Sequence, residues 1–155
     1  MSTEAITNFI KINEKIGTAG QPTEEQLQSA RDEGYTNIIN LAPESADNYA
    51  LPNESGVVAA LGMQYLNIPV EWGNPKETDF DKFTEAMDQL REKKVLIHCA
   101  ANFRVTAFYS LYAMKREGWS AEEADKLIAK IWESRADYRM DDTWKTFIGA
   151  IRSRL

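Results

Sequence analysis

Val95-Leu96-Ile97-His98-Cys99-Ala100-Ala101-Asn102-Phe103-Arg104-Val105-Thr106 runs from an apolar triplet, through a loop of small residues, into a helical pattern. The triplet reads as a strand buried on both faces. Residues 105–117, with Phe108, Leu111, Tyr112 and Met114, read as a mostly apolar central helix, closed by Gly118 in the post-helix position. At such a junction the first N–H groups of the helix point outward and carry its positive dipole end. Ala100, Ala101, Asn102, Phe103, Arg104 and Val105 can therefore cradle a phosphate-sized oxyanion without a metal. A cysteine in that cup is favoured as its thiolate by the same N–H groups and by a nearby guanidinium, which makes Cys99 a nucleophile at neutral pH. Arg104 offers a planar, permanently charged fork that fits two oxygens of a tetrahedral anion at once. His98, the only histidine, adjoins Cys99, the only cysteine. It reads as a buried residue whose ring bonds the loop and helps set the thiolate, not as a base.

Outward from this segment, apolar runs and turn residues alternate. Toward the N-terminus, residues 9–12 and 16–21 read as short extended pieces, the second ending in Gly20-Gln21-Pro22. Pro22-Thr23-Glu24-Glu25 opens a helix to about residue 32, since proline and acids suit a first turn. Residues 35–41 read as a buried strand, 55–61 as a short helix and 64–70 as the next strand. Phe80, Phe83, Met87 and Leu90 then recur at helical spacing on a long amphipathic helix. Ser120-Ala121-Glu122-Glu123 forms a capping box for a helix to about residue 133, and Asp142-Thr143 caps a last helix carrying Trp144, Phe147 and Ile151. Trp119, Trp132 and Trp144 read as fasteners of these C-terminal helices. Strands alternating with helices specify an α/β domain with a mostly parallel central sheet flanked by helices. At 155 residues, with no repeat or linker, the chain reads as a single domain over 1–155.

Composition narrows the chemistry. A formal net charge of -6 argues against nucleic acid and acidic membranes as partners, because Lys and Arg must neutralise their phosphates; an anionic substrate then needs a local pocket. One cysteine forms no internal disulfide, and one histidine with one cysteine is too few for the usual closed zinc site. No metal and no cofactor is expected. No apolar stretch reaches the roughly 18 to 20 residues of a membrane helix, and Met1-Ser2-Thr3-Glu4 lacks a secretory pattern, so the expected location is cytoplasmic.

The His98-to-Thr106 segment resembles the signature of the protein tyrosine phosphatases: His-Cys, five residues, then Arg followed by Ser or Thr. Ala19-Gly20-Gln21-Pro22-Thr23 and Asn67-Ile68-Pro69-Val70 extend the likeness to a bacterial, dual-specificity-like phosphatase family long known only as a domain of unknown function, over roughly residues 10 to 133. The resemblance implies a cysteine-phosphatase fold and hydrolysis of phosphate monoesters through a phosphocysteine. In it Cys99 attacks phosphorus, Arg104 holds the phosphoryl oxygens and Thr106 aids departure of the thiolate. An acid on the loop after Val70 protonates the leaving oxygen, Glu71 first and Asp79 second. Gln21 falls near the site, and Trp72 either lines the pocket mouth or packs beneath the loop.

Only four residues separate Cys99 from Arg104, one fewer than the signature. Either the loop is shortened, or a gapless alignment keeps Thr106 in register and sets Val105 where the arginine belongs. Asn102 stands where glycine is usual, a tolerable exchange because Asn accepts positive φ. The four-residue spacing is also similar to that of rhodanese-type sulfurtransferases, which carry a persulfide on the loop cysteine. A third reading is a catalytically silent module that binds a phosphorylated or other oxyanionic partner. The oligomeric state is left open by the sequence.

Overall fold

The computed structural model describes residues 2–45, 49–134 and 139–155. A five-stranded sheet is built from β1 (Ile10–Lys11), β2 (Ile16–Ala19), β3 (Asn37–Asn40), β4 (Gln64–Asn67) and β5 (Val95–His98). Its order is β1-β2-β5-β3-β4, with β1 antiparallel to β2 and every other pairing parallel. The helices are α1 (Glu24–Asp32), α2 (Glu54–Ala60), α3 (Glu77–Gln89), α4 (Phe103–Arg116), α5 (Ala121–Trp132) and α6 (Asp142–Arg152). A one-turn 3-10 helix at Thr3–Ala5 is too short to leave a periodic trace in the sequence.

Alternation along the strands sorts two cores. Ile38 and Leu96 face α1 and α2 with Leu27, Ala30 and Val58. Ile39, Val95 and Ile97 face the other way, into a larger core with Phe80, Phe83, Phe108, Trp132, Trp144 and Phe147. Because successive strand residues point to opposite faces, a continuous apolar run such as Val95-Leu96-Ile97 supplies both layers at once. α4 lies deepest, with every residue from Arg104 through Ala113 buried.

Boundaries moved where local chemistry intervened. The ladder of β4 ends at Asn67 rather than at 70, two residues before Pro69, which lacks an N–H for it. α4 begins at Phe103 rather than 105, because Asn102 adopts the left-handed conformation, φ 72° and ψ 6°, at its N-cap. Asp141, not Asp142, caps α6 by accepting from the Trp144 N–H at 3.0 Å. No helix among the described residues is long and apolar enough to cross a membrane.

Candidate active site

All four parallel strands end toward the segments that build the site, the usual place for a ligand in an open α/β sheet. β5 is central, with β2 on one side and β3 on the other. Cys99, 1% exposed, follows β5 directly and is held there by its N–H donating to the Ala19 carbonyl at 3.2 Å.

Beyond Cys99 the loop is shaped by carbonyls drawn away from it. The Cys99 carbonyl faces His98 Nδ1 at 3.3 Å, the Ala100 carbonyl accepts from the Gln21 N–H at 3.0 Å, and the Ala101 carbonyl accepts from Asn8 Nδ2 at 2.9 Å. In a trans peptide the N–H points opposite to the preceding carbonyl. Pinning the first two carbonyls outward therefore turns the Ala100 and Ala101 N–H groups to the inside of the loop. Asn102 completes the clamp: its Nδ2 donates to the Asn8 carbonyl at 2.8 Å and to Thr18 Oγ1 at 3.1 Å. Gly20 lets the end of β2 come this close. A methyl there would stand 2.6 Å from the Ala100 carbonyl oxygen and 3.0 Å from Ala101 Cα.

Cys99, Ala100, Ala101, Phe103 and Arg104 line one cavity of about 360 Å³, closed by Tyr49 and Trp72. Arg104, 5% exposed, donates from Nη1 to the Val70 carbonyl at 2.9 Å and from Nη2 to the Tyr49 hydroxyl at 3.4 Å. Its Cζ lies 5.9 Å from the Trp72 ring centroid, within cation–π range. Nε is buried without a partner among the described residues, so a donor remains for an incoming oxygen. The two alignments of the short loop are thereby separated. Arg104 faces the cavity with Cys99, whereas Val105 is wholly buried in the larger core.

The aromatic wall is anchored from behind. Trp72 stacks on Trp132 at 5.4 Å and 18°, Trp132 Nε1 donates to the Phe103 carbonyl at 3.0 Å, and Trp144 Nε1 donates to the Trp72 carbonyl at 2.9 Å. Trp72 thus both lines the pocket and packs on the C-terminal helices. Trp119 stands apart, edge-on to Tyr109.

Other expected residues sit elsewhere. Thr106 is fully buried and its hydroxyl donates back to the Asn102 and Phe103 carbonyls at 2.9 and 3.1 Å. That is a first-turn role in α4, and this geometry does not carry assistance to a departing thiolate. Glu71 is exposed on the Glu71–Asn74 turn, outside the cavity lining. Asp79 is buried at the start of α3, where Oδ2 accepts from the Lys76 N–H at 3.0 Å; that cap removes it as a proton donor to the cavity. Gln21 lies against the loop from outside the cavity lining, its N–H donating to the Ala100 carbonyl at 3.0 Å and its Nε2 to Glu54 Oε1 at 2.9 Å.

Sequence reasoning missed Glu54, Asn8 and Tyr49. Glu54 Oε2 meets His98 Nε2 at 2.5 Å, with side-chain exposures of 3% and 0%. The pair is separated by 44 positions, and no local pattern marks an acid beside Pro52-Asn53 as buried.

A loop cysteine and a buried arginine sharing one anion-sized cup, on a mostly parallel sheet with helices on both faces, define the cysteine-dependent tyrosine and dual-specificity phosphatase class. Residues 5–142 match the family described as DSP-PTPase phosphatase fused to NAD+ kinase, and the chain belongs to that family. A candidate phosphatase (DUF442) from Shewanella putrefaciens CN-32 is 31% identical, with a TM-score of 0.86 over 97% of this chain and 92% of that one. The beta-lactamase hydrolase-like protein of Xylella fastidiosa (strain Temecula1) is 31% identical over 105 residues, which are 66% of this chain and 24% of that protein. The matched segment is about a quarter of the length of the curated relatives. Tk-PTP in its active form, at 20% identity and a TM-score of 0.74, covers 96% of the chain and shares the fold.

Proposed function

We propose that this domain hydrolyses phosphate monoesters through a phosphocysteine, without a metal. One observation carries the reading: Cys99 and Arg104 line the same cavity, below a loop whose first two peptides turn their N–H groups inward. The Cys99 thiolate attacks phosphorus, forming the S–P bond as the P–O bond to the leaving group breaks. Negative charge on the phosphoryl oxygens is met by Arg104 and by the loop N–H groups, already oriented before substrate arrives. The leaving oxygen takes a proton from an acid on the loop after β4, for which Glu71 is the proposed donor. That carboxylate lies one residue from Val70, the anchor of Arg104. Water then attacks phosphorus, the S–P bond breaks, Glu71 accepts the water proton, and inorganic phosphate leaves.

The aromatic wall of Tyr49, Trp72 and Phe103 supports an aryl or otherwise apolar leaving group. PTPMT1, of the same fold, is known in complex with PI(5)P. The test is hydrolysis of p-nitrophenyl phosphate in excess EDTA. Wild type should turn over and Cys99→Ser should be silent while still binding vanadate. Equal turnover by the two proteins rules the mechanism out.

Sulfur transfer through a Cys99 persulfide is a second reading. It draws support from the four-residue loop and from a cavity lining that, among the described residues, holds no carboxylate. Thiocyanate formation from thiosulfate and cyanide, without phosphatase turnover, would favour it.

A further inference from the structure

Both ring nitrogens of His98 face acceptors. Nε2 meets the Glu54 carboxylate at 2.5 Å and Nδ1 meets the Cys99 carbonyl at 3.3 Å. A neutral imidazole carries one N–H and one lone pair, so it would turn a lone pair toward one of these oxygens. Two N–H groups satisfy both. The other Glu54 oxygen takes the Gln21 Nε2 hydrogen at 2.9 Å, and the proton between Oε2 and Nε2 is assigned to the ring because an imidazolium is the weaker acid of the two. A buried cation beside a buried carboxylate leaves a neutral pair, whereas either charge alone in this fully enclosed position is strongly penalised.

Resting on the phosphatase reading, we infer that Glu54 is a positioning residue: it holds His98 as an imidazolium, whose Nδ1–H fixes the Cys99 carbonyl and whose charge sits directly behind the nucleophile. Two effects follow. The Cys99–Ala100 peptide is locked with its N–H inward, and the thiolate is favoured over the thiol by a fixed positive charge that does not depend on substrate. The surroundings leave this role to Glu54. On β3, Asn40 pairs in register with His98 and donates to the Tyr65 hydroxyl, which donates to Glu44. From β2's end comes the neutral Gln21, and from α4 comes Arg104, across the cavity. The Tyr65 phenol is driven far above its ordinary range, first by burial, with Glu54 and Glu44 adding to the shift, so it stays neutral and offers no competing charge.

The chain has one histidine, so its imidazole can be read without assignment by long-range 1H–15N correlation on native protein. Both ring nitrogens should show protonated shifts at pH 7. A spectrum with one unprotonated nitrogen at pH 7 overturns the inference, and this measurement needs no variant. In Glu54→Gln, folded as judged by circular dichroism, His98 should become neutral. Iodoacetamide should then alkylate Cys99 at pH 6 roughly ten-fold more slowly, one pH unit's worth of lost thiolate, with the midpoint of its pH profile raised. An unchanged profile in folded Glu54→Gln also overturns it. Failure of the phosphatase reading appears separately, as wild-type protein without turnover but with the imidazolium spectrum intact.

Discussion

Gly20→Ala tests whether the close approach of β2 to the loop is what shapes the oxyanion cup. The added methyl would lie 2.6 Å from the Ala100 carbonyl oxygen, 3.0 Å from Ala101 Cα and 3.1 Å from the Thr7 carbonyl oxygen. All three are backbone atoms, so no side chain can swing aside. Restoring ordinary contact of about 3.4 Å requires the two segments to part by roughly 0.8 Å at the tightest point. Overpacking of this kind costs about 1–3 kcal/mol, and the Gln21 N–H to Ala100 carbonyl bond of 3.0 Å stretches with it. For a domain this size, about 2 kcal/mol lowers Tm by roughly 4–8 °C. Activity should fall further than stability does. The Ala100 and Ala101 N–H groups move with their peptides, and misplacement near 1 Å costs about 100-fold in rate. The assay is kcat/KM on p-nitrophenyl phosphate at 15 °C, well below the melt, beside differential scanning calorimetry. Gly149→Ala is the control: it lies inside α6 with open space where a methyl would go, so stability should hold or rise by about 0.5–1 kcal/mol of helix propensity. Gly20→Ala with wild-type kcat/KM would refute the reasoning, whatever its melting temperature.

Arg104→Lys keeps the charge but loses the fork and the Nη1 bond to Val70; kcat/KM should drop about 100- to 1,000-fold, measured by steady-state hydrolysis. Glu71→Gln should slow alkyl phosphates by about 100-fold and p-nitrophenyl phosphate far less, because nitrophenolate leaves without a proton; equal losses on both would remove Glu71 as the acid. Trp72→Ala should raise KM for aryl phosphates by roughly ten-fold with a smaller change for an alkyl phosphate, read from paired Michaelis curves. Asp88 is held below its ordinary 3.8, first by its hydrogen bond from Arg116 and then by Tyr112. A depressed carboxylate stabilises the fold above its unfolded value and loses that contribution as pH falls through the folded one. Asp88→Asn should therefore cost up to about 0.5 kcal/mol at pH 7 for this half-exposed pair, shrinking below about pH 4, as followed by urea melts at both pH values.

The mostly parallel sheet and the succession of helices were legible because burial on two faces writes long apolar runs, and because Thr23 and Ser120 cap α1 and α5 through side chains three residues from their partners. The same locality made the Cys99-to-Arg104 loop readable, since its strand, loop and helix are contiguous. What escaped was fixed by distance along the chain. Asn8 clamps Ala101 from 93 positions away and Glu54 reaches His98 from 44, and an Asn or Glu in a polar stretch carries no mark of its partner. Asp79, the second choice for the acid, lies three residues from Lys76 and caps the start of α3. Thr106 likewise obeyed the nearer carbonyls of its own turn.

The family match stops at residue 142, where α6 begins, yet the ring that closes the cavity depends on what comes next. Trp144 grips the Trp72 carbonyl, and Phe147 packs edge-on against Trp144 at 5.5 Å. A fragment trimmed to the recognisable segment would keep every residue that touches the cavity and still lose the buttress of its aromatic wall. The shape of the cavity mouth in this chain thus depends on a helix that does not line it, and a change in α6 would reach Trp72 while leaving the cysteine loop unaltered.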